Sequence, residues 1–444
     1  MTCNHNYFVL EYISGMRFSL SIMLKPLIKL MTSVIFRGTS TFLLFFKGDL
    51  IMLFSLSLIL IIGFSLSGIL NKLKIPGLMG MIFTGILLGP YMFNLISPDI
   101  LNISSDLREI ALIVILTRAG LSIDINDLKK VGRPAILMCF VPATLEIIAV
   151  TLLAPLLLDI TYIEAALMGT VLAAVSPAII VPRMLHLMES GYGKHKSIPQ
   201  LIMAGASVDD IYVIVLFTSL MGIYQGQGFS STTLLNVPIS IVIGSFLGIA
   251  TGLILVEMFK IMHLRDTLKV LILLSASFIF VTLETIMKPY VPMSGLLAVM
   301  ALGATILKTN EVTAKRLMGK FSKIWVGAEI MLFVLVGAAV DINALSGAGP
   351  KSILLVLGAL VLRILGVNLS LIKTKLNLKE RLFCSIAYLP KATVQAAIGA
   401  IPLSAGVDAG NTILTVAVLA ILITAPIGAI GIDYTHTRLL TRKS

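Results

Sequence analysis

The sequence predicts an all-α protein that crosses a membrane about thirteen times and contains inverted repeats with two discontinuous helices. Hydrophobic residues make up 57% of the 444 residues and charged residues only 13%, whereas a soluble domain carries about 25% charged residues. Apolar runs follow one another from residue 50 onward, and about 20 apolar helical residues are enough to cross a bilayer. These observations exclude a soluble enzyme and predict that membrane lipid surrounds the helices.

The boundaries of the individual spans follow from the ends of the apolar runs. We predict spans at residues 51–71, 76–96, 107–123, 134–158, 163–186, 198–222, 233–260, 267–287, 293–308, 324–344, 351–372, 379–402 and 411–432. Residues 1–48 are moderately apolar but interrupted by basic residues. This N-terminal segment is compatible with an extra span, an interfacial helix, or an extension ahead of a start at Met52.

The links between the spans are alternately basic and non-basic. Lys and Arg cluster in every second link, including residues 308–323 and 373–381, and in the tail from Arg438. Such a bias marks the cytoplasmic side of a membrane protein. We therefore attribute the net charge of +12 to the basic links that orient the protein in the membrane, and we expect no nucleic-acid partner. We expect a multi-pass protein of the cell membrane with a cytoplasmic C-terminus.

Five charged residues fall near the centres of spans: Glu146, Asp209, Asp210, Arg363 and Lys391. A charge at the bilayer centre costs at least about 2.5–3.5 kcal/mol and usually marks an ion or proton pathway. Adjacent helical residues point about 100° apart, so at least one of the two aspartates must face protein or water. If the five groups share one region, one positive charge is missing, and a proton or a monovalent cation would supply it.

Two spans are interrupted by proline, at Pro177 and at Pro390. Proline removes a backbone donor and clashes with the preceding helical turn. Each break lies one span after a midplane charge, Glu146 in the first case and Arg363 in the second, and an odd number of crossings separates the two pairs. This pattern predicts inverted repeats with interrupted helices in corresponding positions, which place an ion site at the midplane. We interpret Glu146 and Arg363 as a structural clamp.

Four stretches carry a resemblance to a known family: RAGLSIDINDLKK (118–130), VSPAIIVPRMLHLMESGYGKHKSIPQLIMAGASVDDI (175–211), NLKERLFCSIAYLPKATVQAAIGAI (377–401) and ILTVAVLAILITAPIG (413–428). They are similar to the monovalent cation/proton antiporter superfamily of sodium/proton exchangers, and within it to the NHA-type sodium/hydrogen exchanger-like branch. The resemblance extends from about residue 50 to the C-terminus and implies the Na+/H+ antiporter fold.

The resemblance also implies a domain organisation, a homodimer and an elevator-like movement of a core against a scaffold. The expected parts are an uncertain segment at 1–48, scaffold or dimerisation helices at 49–130 and 263–346, core ion-transport helices at 131–225 and 347–436, a linker helix at 226–262 and a cytoplasmic tail at 437–444.

The paired acids of the family map onto Asp209 and Asp210, which the resemblance implies bind Na+ or Li+ and the proton. Asp210 is the expected carrier, with Asp209 as co-ligand or as the partner of Lys391. Ser176 and Thr393 are candidates for further oxygen ligands, which hard cations prefer. Many relatives have Thr-Asp-Pro where this chain has Val-Ser-Pro at the first break, so Ser176 offers a hydroxyl there.

The other mapped residues are structural or compensate charge: Glu146 with Arg363, Lys391, and the unwound crossing at Pro177 and Pro390. Many relatives carry lysine at the position of Arg363, and the always-charged arginine favours electroneutral exchange. The expected function is exchange of Na+ or Li+ for H+ in pH homeostasis, without a cofactor and without enzymatic catalysis.

Alternative functions are a K+/H+ antiporter, a sodium-coupled symporter of an organic anion, or a pH sensor that uses loop histidines. An intramembrane aspartyl protease needs two aspartates that face each other from different helices. Adjacent Asp209 and Asp210 do not provide that arrangement.

Overall fold

The protein is built from α-helices. The computed structural model describes residues 52–73, 75–122, 132–227, 231–287, 291 and 293–442. Within these ranges there is no strand, and Tyr192 and Arg442 form an isolated β-bridge. The predicted N-terminal segment 1–48 lies outside the described residues.

The helices coincide with the apolar runs of the sequence. They are α1 (Met52–Lys72), α2 (Gly77–Leu88), α3 (Pro98–Asn102), α4 (Ser104–Gly120), α5 (Arg133–Leu158), α6 (Tyr162–Ala173), α7 (Pro177–Ser190), α8 (Ile198–Gly222), α9 (Ser231–Met262), α10 (Asp266–Met287), α11 (Gly295–Thr309), α12 (Glu311–Ala338), α13 (Ile342–Ser370), α14 (Leu378–Ala387), α15 (Thr393–Ile398), α16 (Ile401–Ser404) and α17 (Gly410–Leu439). Among the described residues, nine helical stretches are long and apolar enough to cross a membrane, and three apolar helices are shorter. The predicted all-α polytopic fold is confirmed.

One predicted link is helical instead. The basic stretch 308–323 was expected to connect two spans, but α12 already begins at Glu311. The Asn310 side chain caps this helix by accepting a hydrogen bond from the Thr313 amide at 3.0 Å. Hydropathy marks only the apolar part of a helix, so it misses a charged turn that continues beyond the bilayer.

Two crossings are interrupted where the sequence predicts breaks. The first break separates α6 from α7, and Pro177 occupies the first position of α7, where the missing N–H costs no helical hydrogen bond. The second break separates α14 from α15 and contains Pro390. Ala174 and Ser176 have extended backbone conformations, so the first break lies just ahead of its proline.

The two interrupted crossings occupy corresponding places in the two repeats. The first repeat runs through α5, α6, α7 and α8, and the second through α13, α14, α15 with α16, and α17. Helices α5 and α13 pack along each other. A Cβ on Gly366 would lie 2.7 Å from the Pro142 Cα, so a glycine is required where these two backbones approach.

Each interrupted crossing begins with the same local motif. At the start of α6 the Glu164 carboxylate accepts a hydrogen bond from the Thr161 amide at 2.9 Å, and Thr161 caps Glu164 in return. At the start of α14 Glu380 and Asn377 form the equivalent pair at 2.8 and 2.9 Å. These capping boxes bond amides that would otherwise have no partner in the helix.

The same two glutamates also connect the repeats. Glu164 Oε1 accepts a hydrogen bond from the Ala409 amide at 2.9 Å, at the N-cap of α17. Glu380 Oε2 accepts one from Lys196 Nζ at 2.7 Å, next to Ser197, the N-cap of α8. Each broken crossing is therefore joined to the residues just before the last helix of the opposite repeat.

The remaining helices pack beside this unit. Helices α1 and α2 pack against each other and against α12, α4 packs against α11 and α12, and α9 packs along α11.

The capping glutamates predict a stability effect. Glu164→Ala and Glu380→Ala should each lower the thermal unfolding midpoint in detergent, because a hydrogen bond to a charged group contributes about 1.5–3 kcal/mol and the link between the repeats is also lost. Glu257→Ala is the matched control, because Glu257 is 64% exposed and pairs only with Lys260 in the described structure. Unfolding midpoints of both glutamate variants equal to that of the control would contradict this role.

Candidate functional site

The two breaks cross at the centre of the repeats. The Ser176 amide in the first break donates a hydrogen bond to the Pro390 carbonyl in the second at 2.9 Å. The Gln395 side-chain amide donates to the Leu172 and Ala174 carbonyls at 3.2 and 2.8 Å. Backbone groups freed by one interruption are thus bonded by the other half of the fold, which makes non-helical backbone tolerable at membrane depth.

Arg363 of α13 lies between the two breaks, fully buried. Its Nε donates to the Tyr388 carbonyl at 2.7 Å, Nη1 donates to the Ala173 carbonyl and to Glu146 at 2.5 Å, and Nη2 donates to Asp209 at 3.1 Å. The two carbonyls belong to the ends of α6 and α14, where helix dipoles concentrate negative partial charge. One guanidinium therefore donates hydrogen bonds to two carboxylates and to the C-terminal carbonyls of two helices.

Glu146 is bonded from two sides. Lys391 Nζ lies 2.8 Å from its Oε1 and 2.9 Å from its Oε2, and Arg363 bonds to the same carboxylate. The Lys391 amide also donates to the Thr424 hydroxyl of α17 at 3.0 Å. The second break is thereby fixed to both α5 and α17.

Asp209 pairs with Arg363 and not with Lys391. Its Oδ2 accepts hydrogen bonds from Arg363 Nη2 at 3.1 Å and from the Val175 amide in the first break at 3.0 Å. The sequence left Lys391 open as the partner of Asp209. In the structure Lys391 reaches both oxygens of Glu146 instead, so that expectation is corrected.

Asp210 lies on the next position of α8 and is buried, with 8% of its surface exposed. Among the described residues its Oδ1 has no hydrogen-bond partner, and the same holds for Asp209 Oδ1 and the Ser176 hydroxyl. Thr393, buried as well, is the first residue of α15. Buried polar atoms are normally bonded, so these unpartnered oxygens indicate where a cation or proton can bind.

The charges of the cluster do not balance. Glu146, Asp209 and Asp210 are three carboxylates, whereas Arg363 and Lys391 supply two cations. Both cations bond to Glu146, and Arg363 also bonds to Asp209. Asp210 is therefore the carboxylate without a cationic partner in the described cluster, and this position suits the alternate binding of a proton and a monovalent cation.

Sequence reasoning missed several contributors to this site, including the three that follow. Tyr388 contributes a backbone carbonyl, Gln395 contributes a side-chain amide and Thr424 contributes a hydroxyl. The isolated polar residues Gln395 and Thr424, each within an apolar stretch, are a signal that could have identified two of them. Every residue has a backbone carbonyl, so the sequence does not show which carbonyl contributes to a site.

An inverted repeat that is helical throughout its described residues, with interrupted helices that cross beside buried charges, is typical of secondary transporters of small ions. The fold is that of the sodium proton antiporter MjNhaP1 from Methanocaldococcus jannaschii, with a TM-score of 0.77 and 21% identity over 86% of this chain and 97% of that one. The family model described as "Sodium/hydrogen exchanger, transmembrane" matches residues 54–435. The chain belongs to this family.

Curated relatives match most of the chain. Sodium/hydrogen exchanger 9B2 from Homo sapiens is 35% identical over 387 residues, which cover 83% of this chain and 70% of the relative. Sodium/hydrogen exchanger 9B1 from Homo sapiens is 31% identical over 382 residues, which cover 83% and 73%. The protein is therefore a multi-pass membrane protein of the cation/proton antiporter class.

Removal of the Arg363 guanidinium should strongly destabilise the folded protein. Arg363→Met removes the guanidinium that donates to Glu146, to Asp209 and to two helix-end carbonyls, and loss of one partner from a buried ion pair costs about 3–5 kcal/mol. We expect a large fall in the thermal unfolding midpoint, measured in detergent. Arg316→Met is the control, because Arg316 is 53% exposed and pairs with Asp266. An Arg363→Met protein as stable as this control would show that Arg363 does not hold the site together.

Proposed function

We propose that the protein exchanges Na+ or Li+ for H+ across the cell membrane and that Asp210 carries the cation and the proton in turn. The observation that carries this proposal is the state of Asp210: it is buried, its Oδ1 has no hydrogen-bond partner in the described structure, and the neighbouring cations bond to other acids. Family membership supports the reaction class.

Further oxygens near the breaks complete the proposed site. Asp209 Oδ1 and the Ser176 hydroxyl are buried and have no hydrogen-bond partner in the described structure, and Thr393, buried at the start of α15, is a further hydroxyl candidate. We propose Asp209 as a co-ligand of Na+ or Li+, with Ser176 and Thr393 as neutral oxygen donors. Hard cations prefer such ligands. Glu146, Arg363 and Lys391 compensate charge.

The proposed transport step moves a core, residues 131–225 and 347–436, against a scaffold, residues 49–130 and 263–346. The linker is residues 226–262, and scaffold helices form a homodimer. Three contacts support movement of the core as one body: Ser176 with Pro390, Glu164 with Ala409, and Lys196 with Glu380. Each of them joins one repeat to the other.

The proposed orientation follows from the basic links. Lys196 at the start of α8 and Arg438 at the end of α17 lie in basic segments, which face the cytoplasm in membrane proteins. The C-terminal tail, residues 437–444, is then cytoplasmic, and the exchanger contributes to pH homeostasis.

Loss of the carrier carboxylate should abolish exchange. In proteoliposomes that contain a pH-sensitive dye, Asp210→Asn should show no proton movement on addition of Na+ or Li+, because an amide cannot exchange a proton for a cation. Asp408→Asn makes the same substitution at an exposed position and should keep the activity of the unaltered protein. Exchange retained by Asp210→Asn would refute the carrier assignment.

The same assay identifies the transported cation. We expect proton movement with Na+ and Li+ and none with K+. A response to K+ alone would select the alternative K+/H+ antiporter, and uptake of an organic anion without proton counterflow would select the symporter.

The exchange should be electroneutral. Arg363 cannot release its proton and stays bonded to Glu146 and Asp209, so one cation replaces one proton at the site. An imposed membrane potential should then leave the initial exchange rate unchanged in proteoliposomes. A rate that rises or falls with the sign of the potential would contradict one-for-one exchange.

A further inference from the structure

A close contact joins α14 to the helix that carries the aspartates. Tyr388 at the end of α14 is fully buried, and its hydroxyl has no hydrogen-bond partner among the described residues. A Cβ on Gly205 of α8 would lie 1.8 Å from this hydroxyl and 3.1 Å from Tyr388 Cζ, and 3.0 Å from Met138 Cβ on α5. The two helices therefore meet where α8 has no side chain.

Both residues of this contact are connected to the charge cluster. The Tyr388 carbonyl accepts the Arg363 Nε hydrogen bond at 2.7 Å, and the Arg363 guanidinium carbon lies 5.7 Å from the Tyr388 ring centroid. Gly205 precedes Asp209 by four residues on α8, and residues at this spacing share one face of a helix. Arg363 is bonded to the Tyr388 side of the contact, and Asp209 lies on the Gly205 side. Arg363 Nη2 is 3.1 Å from Asp209 Oδ2.

We propose that Tyr388 is a positioning residue whose phenol ring, packed against Gly205, sets the separation between the Asp209 carboxylate and the Arg363 guanidinium. The hydroxyl forms no hydrogen bond in the described structure, so its contribution is its volume. This inference rests on the proposed function, because it concerns the packing that maintains the geometry of the same ion site. It predicts that a change in packing one helical turn away from the acids alters cation binding.

An added methyl group should separate the two helices. In Gly205→Ala the new Cβ cannot stay at 1.8 Å from an oxygen, so the buried Tyr388 ring and α8 must shift relative to each other, and we expect the Asp209 pair with Arg363 to lengthen. A displaced Asp209 changes the spacing of the oxygens that we propose as Na+ ligands, so the cation binds less tightly. We expect the apparent KM for Na+ to rise about fivefold or more at neutral pH while the rate at saturating Na+ changes less.

A matched control and a rescue variant separate this effect from a general effect of alanine. Gly68→Ala makes the same substitution inside α1, where nothing lies within 4 Å of the new Cβ, and should leave KM unchanged. The double variant Gly205→Ala with Tyr388→Phe lacks the oxygen that the new Cβ would strike. Its KM should return to within about twofold of the unaltered protein.

A second variant covers the case in which Gly205→Ala does not fold. Tyr388→Leu removes the ring that supports Arg363 and the oxygen that meets α8, and it should also raise the apparent KM for Na+. A second readout is independent of transport: because a ligand of the native state stabilises it, each variant with a raised KM should need more Na+ for the same rise in the thermal unfolding midpoint.

The outcomes distinguish this inference from the function on which it rests. Raised KM values with rescue by Tyr388→Phe support it. A folded Gly205→Ala with the KM of the unaltered protein, a double variant as impaired as Gly205→Ala, or Tyr388→Leu with unaltered Na+ dependence overturns this inference alone. An unaltered protein that neither exchanges nor binds Na+ overturns the proposed function and this inference together.

Discussion

The guanidinium of Arg363 is the constraint on which the polar centre of the protein depends. It bonds to carboxylates from α5 and α8 and to carbonyls at the ends of α6 and α14. Four helical segments that are distant in sequence therefore converge on one side chain. Because arginine keeps its charge at any physiological pH, these partners always have a cation available. Burial of several polar groups at this depth is tolerable only because they are bonded to one another.

This arrangement assigns different tasks to the three acids. Glu146 is bonded to the two cations Arg363 and Lys391, and both of its oxygens have a partner. Asp209 is bonded to Arg363 and to a backbone amide of the first break through one oxygen, which leaves the other oxygen unpartnered. Asp210 has an unpartnered oxygen and no cation bonded to it in the described structure. The three acids thus differ in how many of their oxygens are bonded, and the ion site that we propose lies at Asp210, the acid without a bonded cation.

In the proposed transport step, the bonds between the repeats would keep the site intact. The capping glutamates Glu164 and Glu380 each bond across to the opposite repeat, and the breaks bond to each other at their crossing. A displacement that kept these contacts would carry both breaks and the aspartates together. The contacts of α15 with α4 and α12 involve apolar packing, which can slide at less cost than the breaking of buried hydrogen bonds.

The sequence predicted the features that have local signals. Apolar runs marked the helices, prolines marked the two interruptions, and Glu146, Asp209, Asp210, Arg363 and Lys391 were visible as charges in apolar surroundings. The choice of partners was not predictable, because it depends on contacts between residues 154 to 245 positions apart. Lys391 was for this reason left open as a partner of Asp209.

The start of α12 at Glu311 was missed for a different reason: its first turns are charged, and hydropathy does not distinguish a charged helix from a loop.

The central claim is that one buried carboxylate binds a proton and a cation in alternation. It is tested most directly by the protons released when Na+ binds to the purified protein in weakly buffered detergent solution, with bound Na+ measured in the same sample. The account predicts that, at a pH where the site is protonated, about one proton leaves for each Na+ bound, and that Asp210→Asn releases none. Na+ binding by the unaltered protein without proton release at any pH would contradict it.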